Sequence, residues 1–284
     1  MTPERYCLDK GLPQGSSLYY SALYLQPEQR RALAAVFALR REIRALIDEC
    51  SDLDVAQRKL DWWRAEIEGA FGGAVQHPAA QALQQAAGTF NLPVEYFQEM
   101  LDGVEMDLRG SRYETFRDLS LYCHRVGGVA GTLWTEICGY RDHRALKYGH
   151  ALGVGLELLR ILRDLRHDVA RGRLYLPREE LERFAVTTTD LGHPTGSGHV
   201  QALLGLQSRR IHEQFEHALS QLPEVDRFRQ CSGLIMCRIQ LTLLKEIERD
   251  GLRVLEHRLR LTPLRKLWLA WNGRRREKRR LRAA

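Results

Sequence analysis

The fold class follows from one stretch, residues 144–168, which reads RALKYGHALGVGLELLRILRDLRHD. Drawn as an α-helix, it places leucine and isoleucine on more than one side, which predicts a helix buried inside a helical domain. Glu157, Arg160, Asp164 and Asp168 are spaced three or four apart and fall on one stripe. These residues could form a row of ion pairs on a solvated face. The apolar residues around them instead favour a stripe that faces the protein interior, where its carboxylates need partners.

The rest of the chain has helical patterns and no convincing period-2 strand. The Thr- and Gly-rich residues 185–198 predict the one clear loop. We therefore expect one all-α domain of about ten helices around a central cavity, with residues 1–263 as the helical domain and residues 264–284 as a basic amphipathic tail. The other helices are predicted over about 28–49, 56–71, 78–90, 93–108, 115–137, 177–184, 199–221 and 223–249, and after Gly251. Gly127, Gly128 and Gly131 within 115–137 predict close helix packing.

Composition places the chain among globular proteins, with its net charge concentrated at one end. Of 284 residues, 44% are hydrophobic and 28% charged, which excludes disordered and membrane-spanning classes. Six cysteines without CxxC spacing, and a start without a signal-peptide layout, predict a cytoplasmic location. From residue 265 onward there are nine Lys/Arg and one Glu, so the remainder holds 34 basic and 35 acidic residues. A neutral body argues against nucleic-acid binding.

The basic tail combines apolar and cationic parts. Leu264, Leu267, Trp268 and Trp271 recur at helical spacing, and residues 274–282 supply seven cations. Such a helix can lie on an anionic bilayer surface, so peripheral contact with the inner face of the membrane is one expectation. A final helix packed on the body, with a charged end, is the alternative.

Asp164 and Asp168 are candidate Mg²⁺ ligands. Two carboxylates one helical turn apart can share a hard cation, which takes oxygen ligands and often bridges to substrate phosphates. Arg171 and Arg173, just beyond the helix, suit a diphosphate. The histidines lack metal-ligand spacing, and no Gly-rich phosphate loop or Ser/His/Asp arrangement is recognisable.

Several segments also resemble squalene and phytoene synthases, in chain order. Residues 163–177, RDLRHDVARGRLYLP, resemble the second aspartate-rich motif of that family, and residues 222–268 resemble bacterial presqualene diphosphate synthases of hopanoid pathways. Further matching blocks lie at residues 15–20, 101–108 and 122–128. The resemblance implies the isoprenoid synthase fold. It also implies Mg²⁺ ions held between two aspartate-rich helices, and head-to-head joining of two prenyl diphosphates, usually farnesyl or geranylgeranyl.

The resemblance suggests roles for individual residues. The catalytic carboxylates would be Asp48, Asp164 and Asp168, of which the last two would hold Mg²⁺. These three, with Arg44, Glu157 and Arg160, are expected to face the central cavity. Arg41 and Arg258 match diphosphate-binding positions of the family. Three further arginines are candidates for the same role because of their charge: Arg44, Arg160 and Arg171. Four positions that are aromatic in the usual cavity are changed here, to Leu18, Phe37, His124 and Gln240.

The metal site departs from the family pattern. Arg44 and Ala45 stand where the first motif has aspartates, and Glu157 and Arg160 replace the customary Gln and Asn. An arginine about 6 Å from Mg²⁺ costs roughly 5 kcal/mol at an effective dielectric constant near 20. We therefore expect that the pocket holds Mg²⁺ poorly and neutralises its own carboxylates, through Arg44 with Asp48 and Arg160 with Asp164.

Three functions remain open at this point. The first is the family reaction, Mg²⁺-dependent condensation of farnesyl diphosphate, with impaired catalysis. The second is a non-catalytic relative that binds an isoprenoid, a lipid or a partner protein. The third is a hydrolase that ionises one prenyl diphosphate and lets water complete the reaction. The resemblance favours the first function, and the altered site residues favour the second.

Overall fold

A computed structural model describes residues 1–50, 52–110, 112–193 and 197–283. These residues form one all-helical domain without strands, which confirms the predicted fold class. The helices are α1 (Pro3–Gly11), α2 (Ser17–Ser21), α3 (Pro27–Glu49), α4 (Leu53–Gly72), α5 (Pro78–Ala87), α6 (Val94–Leu108), α7 (Phe116–Cys123), α8 (Val129–Cys138), α9 (Arg144–Ala170), α10 (Arg178–Arg183), α11 (Thr188–Gly192), α12 (Gly198–Gln221), α13 (Cys231–Arg249) and α14 (Pro263–Ala283).

α3 begins where the sequence predicts and carries half of the candidate site. Pro27 occupies the first helical turn, and Gln26 and Gln29 form a reciprocal capping box. The side chain of Gln29 also donates to the carbonyl oxygens of Ile137 and Cys138, 3.0 and 3.2 Å away. The start of α3 is thereby fixed to the end of α8.

Glycines bring α8 and α9 into direct backbone contact. A Cβ atom on Gly131 would lie 2.0 Å from the carbonyl oxygen of Gly149, and one on Gly153 would lie 2.1 Å from that of Gly127. No side chain larger than hydrogen fits at these positions, so the close helix packing predicted from the glycines is confirmed. This contact holds α9 in the interior, with most of its length buried.

The structure differs from the sequence prediction at four places. The helix expected after Gly251 begins only at Pro263, because residues 251–262 form turns and irregular structure. A π-helical turn, His124–Gly128, interrupts the expected helix between α7 and α8. The predicted loop at 185–198 contains α11, which starts at a capping box of Thr187 and Asp190, and residues 194–196 of that loop lie outside the described part. α1 and α2 were not predicted, because they are too short for their apolar spacing to be recognised.

The final helix, α14, packs against α13 and α2. Leu269, Ala270 and Gly273 are buried in this contact, and the carboxylate of Glu277 is bound by Arg227, with 3.2 Å between Oε2 and Nε. The body and the basic segment are thus in contact along the packed face of α14. Within the described residues, no helix has both the length and the apolar character that crossing a bilayer requires.

Candidate functional site

A cavity of about 740 Å³ lies between α3, α8, α9 and α13. Apolar side chains line part of it, where Phe37 packs edge-on against Trp134 with 5.6 Å between ring centroids, and the charged side chains of Arg40, Glu157 and Arg160 line another part. Three of the four residues predicted to line the cavity do so: Leu18, Phe37 and Gln240. Cavities of this size and character commonly hold small apolar ligands.

Cations surround the open side of this cavity. We call five of them the mouth cations: Arg41, Arg163, Arg258, Arg260 and Lys266. Among the described residues, Arg41 and Arg260 have no carboxylate partner, and Lys266 donates only to the carbonyl oxygen of Gly15, 2.9 Å away. Burial, together with the charges of Arg260 and Arg163, lowers the pKa of Lys266. The cavity mouth therefore carries a surplus of positive charge, which favours an anion.

α3 and α9 meet at a buried carboxylate, Glu157. This side chain is 2% exposed and is bound by Arg40, Arg44 and Arg160, which together with it form what we call the Glu157 cluster. Arg40 Nη2 lies 2.8 Å from Oε2, whereas Arg44 Nη1 and Arg160 Nε lie 3.3 and 2.5 Å from Oε1. Burial alone would raise the pKa of Glu157, but the three guanidinium groups hold it well below its usual range. Glu157 is therefore ionised.

The Glu157 cluster joins three departures from the family pattern into one unit. Arg44, Glu157 and Arg160 each look like a separate substitution in the sequence. In the structure, Arg44 and Arg160 share one oxygen of Glu157. Positive charge at two of these positions is thus offset in part by the negative charge at the third.

Arg160 also binds Asp168, with 2.8 Å between Nη1 and Oδ2, and its guanidinium lies 4.7 Å from the ring centroid of Tyr175. Next to this pair is Asp107, a partly buried carboxylate that the sequence analysis did not single out. It accepts hydrogen bonds from the hydroxyl groups of Tyr122 and Tyr175, at 2.8 and 3.0 Å. Burial raises the pKa of Asp107 despite these donors. Its place in the matching block at 101–108 was the signal that could have identified it.

The other two catalytic candidates lie nearer the surface, each between two arginines. Asp164 is bound by Arg163, with contacts of 2.8 and 2.7 Å, and by Arg258 at 2.8 Å. Asp48 is bound by Arg171 at 2.6 Å and by Arg173 at 2.8 Å. In both cases partial burial would raise the pKa of the carboxyl group, and the arginines instead hold it below its usual value.

The prediction of which residues form ion pairs with Arg44 and Arg160 was wrong. Arg44 binds Glu157 and not Asp48, and Arg160 binds Glu157 and Asp168 and not Asp164. The reason is burial: Glu157 lies inside the domain and needs cationic partners more than the exposed Asp48 does.

Some residues expected in the cavity lie elsewhere. Arg44 lines a small void beside Asp107, and His124 lines a separate groove, where its Nδ1 lies 2.7 Å from Nε2 of His150. The π-helical turn directs His124 towards His150. Three further residues do not contribute to the cavity walls: Asp48, Asp164 and Asp168.

Arginines occupy the described carboxylates that could hold a magnesium ion. Mg²⁺ is usually bound by one or two carboxylates together with waters and substrate phosphates. Within the described ranges, no three acidic, histidine or cysteine side chains converge as a metal site. Each of Asp48, Asp164 and Asp168 is instead bound by at least one guanidinium group. A cation approaching any of them would have to displace an arginine.

Known proteins are similar to this chain in both sequence and architecture. The family model for squalene/phytoene synthase matches residues 13–265. A 15-cis-phytoene synthase from Synechocystis is 32% identical over 270 residues, which is 90% of this chain and 80% of that protein. A dehydrosqualene synthase crystal structure superposes with a TM-score of 0.88 at 23% identity, over 97% of this chain and 96% of the other. A squalene synthase, HpnC from Alicyclobacillus acidocaldarius, gives 0.76 at 26% identity, over 88% and 94%. The predicted isoprenoid synthase fold is confirmed.

Proposed function

Because the chain belongs to the squalene/phytoene synthase family, whose reaction is the head-to-head condensation of prenyl diphosphates, we propose that it binds a prenyl diphosphate such as farnesyl diphosphate in its cavity. The mouth cations bind the diphosphate directly, without Mg²⁺. Condensation of prenyl diphosphates by this chain is slow or absent. The single observation that carries this proposal is the binding of every candidate metal-ligand carboxylate by arginine.

The two ends of such a ligand match the two parts of the cavity. Charge-assisted hydrogen bonds from arginine to phosphate oxygens are short and strong, and the planar guanidinium group can bind two oxygens at once. Arg41, Arg260 and Lys266 supply such donors without an acidic partner among the described residues. The hydrocarbon chain would lie against the apolar walls, where its transfer from water is favourable.

Slow condensation follows from the Glu157 cluster. In a metal-dependent reaction of this kind the cation neutralises the charge that develops on the leaving group. Here the two arginines near the first and second motifs, Arg44 and Arg160, are engaged by Glu157. Moving them to a departing diphosphate would remove two of the three cationic partners of the buried Glu157 carboxylate, which is costly.

The proposal is tested by titrating purified protein with farnesyl diphosphate, once in excess chelator and once in Mg²⁺. We expect the same dissociation constant within about threefold, because a 1.4 kcal/mol contribution from metal would already change it tenfold. Arg41→Gln with Arg260→Gln should weaken binding, whereas Arg249→Gln, an exposed arginine on α13, should not. Loss of binding in chelator would overturn the proposal.

Product analysis with radiolabelled farnesyl diphosphate and a reductant separates the remaining functions. Formation of presqualene diphosphate at an ordinary enzyme rate, about 1 per second or faster, would contradict slow condensation. Farnesol would identify a hydrolase. Binding without any product would identify a non-catalytic isoprenoid-binding protein. The predicted contact of residues 264–284 with a membrane surface is a separate proposal that does not depend on the ligand.

A further inference from the structure

α14 presents an exposed apolar stripe. Leu264 is 80% exposed, and Leu267, Trp268 and Trp271 are between 43% and 56% exposed. Their spacing of three and four residues places all four on one side of the helix. Large apolar side chains grouped on a protein surface mark a contact site, whereas single ones need no explanation.

The stripe points away from the body of the domain. At 100° per residue, it lies opposite the buried face formed by Leu269, Ala270 and Gly273. The packing of α14 on α13 therefore does not use it. Because that packing holds the helix in place, the four apolar side chains are presented together without any rearrangement.

The same side of α14 continues as a row of cations. Arg275, Lys278 and Arg282 extend the stripe at spacings of three and four residues, and all three are exposed. The guanidinium of Arg275 lies 5.3 Å from the ring centroid of Trp271, where the apolar part of the stripe meets the cationic part. One face of one helix thus offers leucine and tryptophan first and positive charge next.

We propose that this face of α14 docks on an anionic lipid bilayer. Leucine and tryptophan side chains enter the boundary between headgroups and acyl chains, and the cations meet anionic headgroups. The choice of a bilayer rests on charge complementarity: from residue 265 onward the chain carries nine Lys/Arg and one Glu, whereas the rest of it is close to neutral. A second copy of the chain would bring a cationic stripe against a cationic stripe and would be repelled.

Docking would place the ligand cavity close to the bilayer. Lys266, one of the mouth cations, projects from the buried side of the same helix. The cavity mouth therefore lies about one helix diameter, ~10 Å, from the docked face. A prenyl diphosphate or its lipid product could then pass between cavity and membrane over a short path. This consequence rests on the proposed function, whereas docking itself does not.

The test is sedimentation of the full-length protein with phosphatidylcholine vesicles, with and without one third phosphatidylglycerol, in the absence of prenyl diphosphate. Each cation near an anionic surface contributes about 1 kcal/mol, or fivefold, so three of them should favour anionic vesicles by up to about a hundredfold. Trp268→Ala with Trp271→Ala should weaken binding at least tenfold. The matched control is Trp62→Ala, a tryptophan exposed on α4.

A second measurement locates the helix. Brominated lipids in the anionic vesicles should quench the tryptophan fluorescence of the wild-type protein, and Trp268→Phe with Trp271→Phe should remove that quenching. Equal binding of wild-type protein to neutral and anionic vesicles would overturn the proposal, as would unchanged binding by the double alanine variant. A dimer in sedimentation velocity that the same variant abolishes would assign the face to a second copy and would also overturn it.

Discussion

Two carboxylates of this molecule are each held by arginines, yet they stand in opposite surroundings. Glu157 is 2% exposed and is bound by three guanidinium groups, whereas the side chain of Asp48 is 40% exposed and is bound by two. Removing one partner of a buried ion pair is costly, because water solvates the remaining charges poorly. At an exposed pair, water replaces the lost partner. We therefore expect the Glu157 cluster to contribute more to the stability of the domain than Asp48 does.

The same comparison distinguishes acidic residues that match the family pattern from residues that depart from it. Asp48, Asp164 and Asp168 keep the family's acidic residues but are bound by arginines. At the Glu157 cluster the residues themselves differ from the family pattern. Because Arg44, Glu157 and Arg160 contact one another, they are expected to act as one unit, and single reversions should be harmful.

The largest effect is expected for Glu157→Gln, which restores the residue customary in the family. It leaves three partly exposed guanidinium groups without the buried carboxylate that binds them, and breaking an ion pair at a buried carboxylate costs up to about 3–5 kcal/mol. Urea denaturation should show that loss in the free energy of unfolding. Glu28→Gln, which removes an exposed carboxylate that faces Arg31, is the control and should change it by less than about 1 kcal/mol. A loss of that small size for Glu157→Gln would contradict the comparison.

Reverting the whole unit should recover much of this loss and create a metal site. The variant combines Glu157→Gln, Arg44→Asp, Ala45→Asp and Arg160→Asn. The variant loses two arginines and gains a net one carboxylate, which should tighten Mg²⁺ binding at least tenfold, since the repulsion relieved is of the order of 5 kcal/mol before solvent relaxation. Isothermal titration with Mg²⁺ measures it. Turnover need not return, because the cavity walls also differ from the family pattern. Unchanged Mg²⁺ affinity would show that the arginines do not control the metal.

Local signals in the sequence were sufficient for the long helices and for the burial of α9. The run of apolar residues at 144–168 predicted that burial, and the glycines at 127–131 predicted close helix packing. The ion-pair partners were not predictable in the same way. Spacing along one helix suggested Arg160 with Asp164, but the actual partner of both Arg44 and Arg160 is Glu157, and Arg44 lies on a different helix. Contacts between residues 113 positions apart are decided by tertiary packing.

Asp164→Asn should change the affinity for farnesyl diphosphate in opposite directions for a site that binds the diphosphate directly through cations and for a site that binds it through a metal. Asp164 is bound by Arg163 and Arg258, which line the cavity, so removing its charge frees two mouth cations. Binding of farnesyl diphosphate in chelator should tighten about fivefold, or ~1 kcal/mol for one charge in a partly solvated site. A metal-clamped site would lose affinity in Mg²⁺ with the same variant. Titration of wild-type and variant protein under both conditions provides the comparison.

Weaker binding of farnesyl diphosphate by Asp164→Asn in chelator would contradict direct recognition by the mouth cations. Asp142→Asn is a suitable control, since its partner Arg144 lies at the start of α9 and does not line the cavity.

The smallest effect is expected for Asp48→Asn, the exposed counterpart of Glu157→Gln. Its two ion pairs with Arg171 and Arg173 resemble those of the Glu157 cluster in length, so a count of contacts would assign the two sites comparable importance. Water, however, can solvate all three side chains once the carboxylate is lost, and exposed pairs contribute only about 0.2–1 kcal/mol. The free energy of unfolding should fall by no more than that, and farnesyl diphosphate binding in chelator should stay unchanged because neither arginine lines the cavity. A loss in stability close to that of Glu157→Gln would mean that burial does not separate the two sites, and a change in binding would mean that Arg171 or Arg173 reaches the ligand.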